Sequence, residues 1–143
     1  MEAPGKGILK ITSILFIILG ALAALFSIIG LVGSLALTAL SATVTELNAV
    51  TAAAGGILIV ASIVGAVLGI VELIVGILGL KKSADPTKHN FFVVIGIILC
   101  ALQLISMIIS FSVFGLIGFV LPVLYIVGGL QNKKAVSAPA AQA

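Results

Sequence analysis

The chain has 143 residues, of which 62% are hydrophobic and only 8% charged, with a mean hydropathy of +1.48; soluble domains carry about 25% charged residues. That balance excludes a soluble catalytic domain and identifies an integral membrane protein, and since a helix needs roughly 20 apolar residues to cross the hydrocarbon core, one domain has room for about four crossings. The formal net charge of +3 comes from seven lysines, all at the ends of apolar runs. They read as topology determinants and not as a patch for nucleic acid.

The first ten residues hold Glu2, Lys6 and Lys10 and lead into an apolar run over 11–40. A positive start followed by a greasy run mimics a secretory signal, but this run is about twice the 7 to 15 residues of a signal core. It reads as a retained transmembrane helix over 8–46. Ser13, Gly20, Ser27, Ser34 and Ser41 recur every seven residues along it, a small-residue face suited to close helix packing. A helix of that length is roughly 60 Å long, about twice the hydrocarbon thickness, so tilt or protrusion is expected, with a turn near 46–51.

The second helix, over 50–80, carries the most distinctive stretch of the chain. Steps of three and four give Ser62, Gly65, Gly69, Glu72, Gly76 and Gly79, which share one helical face. The result is a smooth groove of small residues with one carboxyl in it. Lys81-Lys82 end the run, and 81–90 is the clearest loop. There Asp85-Pro86 marks a helix start, because Asp caps well and Pro suits the first helical position.

The third helix is expected over 86–111, entering lipid at Phe91-Phe92, with Gly96, Cys100, Gln103, Ser106 and Ser110 spaced toward one face. A tight turn leads to a fourth helix over 115–131, whose face reads Gly115, Gly118, Pro122, Tyr125 and Gly129. Pro122 kinks it or leaves a carbonyl free. Tyr125 reads as an interfacial anchor. Lys133-Lys134 stop the membrane run, and 135–143 reads as a flexible tail. The lysines flank the first, third and last boundaries of four crossings, whereas the other side carries only Glu46. The asymmetry predicts both termini in the cytoplasm.

Glu72 is the one ionisable residue well inside a predicted helix, about 12 Å inward from Leu80 at helical rise. Three readings stand: a proton or cation site, a neutral carboxyl hydrogen-bonded across helices, or a contact with lipid or ligand, since an intramembrane acid is costly unless something receives it. Gln103, about 18 Å inward from Phe91, is its candidate partner. The competing reading bonds Gln103 to Ser106 or to the carbonyl near Pro122. His89 stands without ligand-spaced companions, so no metal site is expected. Cys100 is a small packing residue with no partner for an internal disulfide. No serine has a neighbouring base, and there is no nucleophile elbow or phosphate loop; no enzymatic activity and no cofactor are expected.

The glycine face with Glu72 is similar in composition to the proton-carrying ring subunits of rotary ATPases, although those place the acid on the partner helix. Four short helices with one glutamate also resemble the small multidrug transporters, whose acid lies in the first helix. The chain as a whole looks like the small bacterial four-helix (tetraspan) integral membrane proteins without assigned function, a resemblance of architecture. These readings give an all-α integral membrane four-helix antiparallel bundle, N-in/C-in, in the plasma (cytoplasmic) membrane. The expected function is structural or scaffolding, through self-association or packing into a larger membrane complex. Its contacts would be Ser62, Gly65, Gly69, Gly76, Gly79, Gly20, Ser27 and Gly118. The alternative is a small transporter or channel subunit using Glu72. The expected partners are the lipid bilayer and a further protein copy or membrane complex, with no nucleic acid.

Overall fold

A computed structural model describes residues 3–43, 48–110 and 113–137. They form α1 (Lys6–Ser41), α2 (Asn48–Lys82), a short 3-10 turn (Pro86–Lys88), α3 (His89–Ser110) and α4 (Val113–Ser137). No strand occurs among the described residues. Three stretches, Lys6–Ser41, Val50–Lys82 and Pro86–Ile105, are long and apolar enough to cross a membrane.

Helix ends follow local chemistry. α1 stops at Ser41, short of the expected end near Glu46, which itself lies outside the described residues. The mildly polar stretch before that end binds its own backbone. Ser34 Oγ donates to Leu31 O, Thr38 Oγ1 to Ser34 O and Ser41 Oγ to Thr38 O, each at 2.8 Å. Thr43 then takes the Leu40 carbonyl with both its amide, at 3.1 Å, and its hydroxyl, at 2.7 Å. Such side-chain bonds compete with further helical propagation. α2 ends on Lys81 and Lys82, cations that suit the negative end of a helix dipole. Asp85, extended at φ −105° and ψ 107°, caps the 3-10 turn, with Pro86 in its first positions. The fourth helix continues beyond Lys134 to Ser137 and does not give way to a tail at 135; Ala135 and Val136 carry no breaker, and the next proline is Pro139. It also runs through Pro122.

The chain divides into two compact units, one of Met1–Ile17 with Val75–Ala143, the other of Ile18–Ile74. The first has a core of large side chains. Leu9, Phe16, Val75, Phe92, Leu99, Leu121 and Tyr125 are buried there. Its helices pair in antiparallel register: Gly5 lies against Gly128 and Asn132, and Gly76 against Ser13 and Ile17. Gly96 and Gly129 of α3–α4 similarly meet Pro122 and His89. The second unit pairs α1 with α2, and its described close approaches run through the glycines Gly20, Gly30, Gly55, Gly65 and Gly69.

Candidate functional site around Glu72

The hairpin unit sets the surroundings of Glu72. A Cβ placed on Gly20 would come to 2.7 Å from Gly69 O, 2.8 Å from Leu73 N and 3.0 Å from Glu72 Cβ. One placed on Gly69 would stand 2.8 Å from Ala24 N and 2.9 Å from Gly20 O. No real side chain tolerates such distances to backbone, so these two glycines let α1 and α2 touch main chain to main chain. The same seam continues with Gly65 on Ser27, where an added Cβ would meet Oγ at 2.6 Å. Beyond it, an added Cβ on Gly30 would meet Ser62 Oγ at 2.9 Å and one on Gly55 would meet Thr38 Oγ1 at 2.5 Å. The small faces of α1 and α2 are thus engaged with each other inside one chain.

Glu72 sits at the Gly20 end of this seam, half-buried. Among the described residues its carboxyl takes no hydrogen bond and no ion pair. Gln103 is placed elsewhere: its carboxamide lies against Gly118 of α4. Gly118 is four residues before Pro122, and a proline has no N–H to give to the carbonyl one helical turn back. The Gln103 carboxamide thus packs against the turn of α4 in which Pro122 leaves a carbonyl without its helical donor.

The remaining small positions belong to the first unit. An added Cβ on Gly76 would approach Ser13 O at 2.8 Å and Ile17 N at 2.9 Å, whereas one on Gly79 would collide with the hydroxyls of Tyr125 and Ser13. The space left at Gly79 is filled by Tyr125. Its hydroxyl lies 2.7 Å from Ser13 Oγ and donates to Val75 O at 3.3 Å. Its ring meets Phe16 and Phe92 edge-on, with centroids 5.0 and 5.4 Å away. Tyr125 and Phe92 are both 0% exposed. Tyr125 is therefore not the interfacial anchor that its position near a helix end suggested. A glycine opposite and a serine hydroxyl in reach let the first unit take in the phenol whole.

A second buried polar contact had no signal in the sequence. Gly5 N donates to Asn132 Oδ1 at 2.8 Å, supplying the amide just before α1 with an acceptor from α4, as a buried helix start requires. Asn132 is fully buried, and its Nδ2 has no acceptor among the described residues. The only hints were Gly5 and the Gly128-Gly129 pair, which permit close approach without saying what approaches.

Around Asp85 the chemistry is that of a cap. Its Oδ1 accepts from Thr87 Oγ1 at 2.6 Å and Thr87 N at 2.9 Å. The hydroxyl first, then the amide, and the nearby Lys88 charge hold this exposed carboxyl below its usual pKa. His89 Nδ1 lies 3.1 Å from Pro86 O, and among the described residues no group of His, Cys, Asp and Glu is placed to hold a metal ion. Cys100 is a half-buried free thiol.

The chain matches no protein-family model, no curated protein and no solved structure. Its class rests on its own physics: an all-helical chain with three helices long and apolar enough to cross a membrane.

Proposed function

We propose that this is a structural integral membrane protein, a four-helix antiparallel bundle with both termini in the cytoplasm, which packs with further copies of itself or into a larger membrane complex. The carrying observation is the length of exposed apolar helix. Along α1, large apolar residues are exposed from Ile11 through Phe26 to Leu40, about 45 Å at helical rise. The hydrocarbon core is about 30 Å thick. Hiding the whole stretch in lipid would take a tilt of roughly 48°, outside the range of about 0–40° that transmembrane helices adopt. The rest calls for protein cover.

Since Gly20, Ser27, Ser62, Gly65 and Gly69 are used within the hairpin, association falls to its outer surface. Gly33 and Gly56 have nothing within 4 Å of an added side chain and offer close approach to another helix. The native mass of the gently solubilised protein tests the reading. A mass above one chain, lowered by Gly33→Leu with Gly56→Leu, supports it, and a lone monomer in every mild detergent sinks it.

The Glu72 carboxyl, without a partner among the described residues, favours one second reading, a transport subunit with a proton or cation site, because intramembrane acids are functional sites by default. Proteoliposomes separate the two. Proton-coupled flux lost in Glu72→Gln, with oligomeric mass unchanged, would select transport; absence of flux in the unaltered protein removes it.

A further inference from the structure

We infer that the lysine-bearing end of the first unit is a docking surface for the headgroups of anionic phospholipids. Four helix boundaries converge on that end. The start of α1 meets the end of α4 through the Gly5–Asn132 hydrogen bond. The start of α3 meets α4 where Gly129 lies against His89 O, and the end of α2 meets α3 where Lys82 Nζ stands 3.8 Å from the centre of the Phe91 ring.

Each boundary brings cations. Lys6 is exposed at the first, Lys81 and Lys88 on either side of the capped turn, and Lys133 with Lys134 at the last. Lys82 is half-buried over Phe91, an aromatic seat for an ammonium at the edge of an apolar belt.

Among the described residues this charge is opposed only beside Lys88, which acts on the Asp85 carboxylate. Asp85 is the one carboxylate described at this end, and its Oδ1 is taken by Thr87. No lysine makes an ion-pair contact among the described residues. Glu2 lies outside them.

A topology signal needs positive charge on one side while the chain inserts. Unpaired cations gathered by the finished fold go on acting afterwards, attracting an anionic leaflet through every lysine within a Debye length of it. The partner is fixed by the neighbouring surface. Ile11, Ile14 and Leu15 are exposed just beyond the first lysines, and Val94 and Ile97 just beyond Phe91, so the anions within reach are those of the lipids that cover these side chains. The inference rests on the membrane-spanning part of the proposed function and is independent of self-association.

The full chain is reconstituted in nanodiscs of mixed phosphatidylcholine and phosphatidylglycerol, and the lipids that stay with it on release are identified by native mass spectrometry. Retained phosphatidylglycerol should exceed its bulk share and fall toward that share as salt is raised. The exposed-lysine variant K81Q/K88Q/K133Q/K134Q should lose the enrichment at unchanged helicity, while Lys→Arg at the same four positions keeps it. Bulk-share retention by the unaltered protein, or enrichment undiminished in the Gln variant, would overturn the inference. Failure to enter the nanodisc at all would instead overturn the membrane reading and this one with it.

Discussion

The two units hold together by different means. In the first, phenylalanines and a tyrosine fill the interior, and two buried hydrogen bonds, Ser13–Tyr125 and Gly5–Asn132, tie α1 to α4. In the second, the described buried residues are small: Gly20, Ser34, Ser41, Gly55 and Gly69. Every large buried apolar side chain described belongs to the first unit. A two-helix hairpin has no interior to fill, so it gains only what close contact of backbones gives. Its outer faces are left to whatever surrounds it.

The largest expected effect comes from breaking the hairpin seam. Gly69→Leu drives a side chain into Ala24 N and Gly20 O and should destabilise by about 3 kcal/mol, the upper end of ordinary overpacking. Gly56→Leu on the same helix, with open space around it, should stay within about 0.5 kcal/mol. Unfolding in mixed micelles, followed by helicity, compares them; equal losses would mean that backbone contact is not what joins α1 to α2.

In the first unit Tyr125→Phe keeps the ring stacking and removes the hydroxyl from Ser13 and Val75, for an expected loss of about 1–2 kcal/mol. Ser13→Ala should cost no more than this, and the double variant little beyond Tyr125→Phe alone. Additive losses would show that the two hydroxyls act separately.

A smaller effect is expected at the interrupted turn of α4. Gln103→Leu should cost about 1 kcal/mol with Pro122 in place. The loss should shrink when Pro122→Ala restores the N–H, and an undiminished cost would detach Gln103 from that role.

The smallest effect is confined to the turn before α3. The Asp85 pKa is lowered in the folded chain, so its contribution is fully present above the unfolded carboxylate value and is lost as pH falls through the lowered folded one. Amide exchange at Thr87 should stay slow through the ordinary carboxylate range and quicken only below it. In Asp85→Ala it should be fast throughout.

How much of this was open to reading from the residues differs between the units for the same physical reason. Helix packing through glycines leaves a trace in spacing, because a face must stay small at every third or fourth position; the Ser62–Gly79 register is visible for that reason. The Asp85-Pro86 start was likewise visible, since a cap and the turn it closes are neighbours in sequence. Ser13 and Tyr125 are 112 residues apart and Gly5 and Asn132 are 127 apart, and no local pattern links them. A tyrosine near a helix end ordinarily reads as a membrane-surface residue, and only the emptiness at Gly79 shows where this one goes. Glu72 drew notice by its charge and Gln103 by its depth, but neither property says which neighbour a side chain meets.

The clasp between Gly5 and Asn132 also has a consequence in time. The hairpin's contacts join segments that leave the ribosome close together, so they are available once α2 is made. The amide just before α1 must wait for the last turns of α4, and contacts of such separation are the slow ones to close. α1 is therefore made before α4 yet secured at its own start only after it, and a chain arrested before α4 would carry a finished hairpin on an unfastened end.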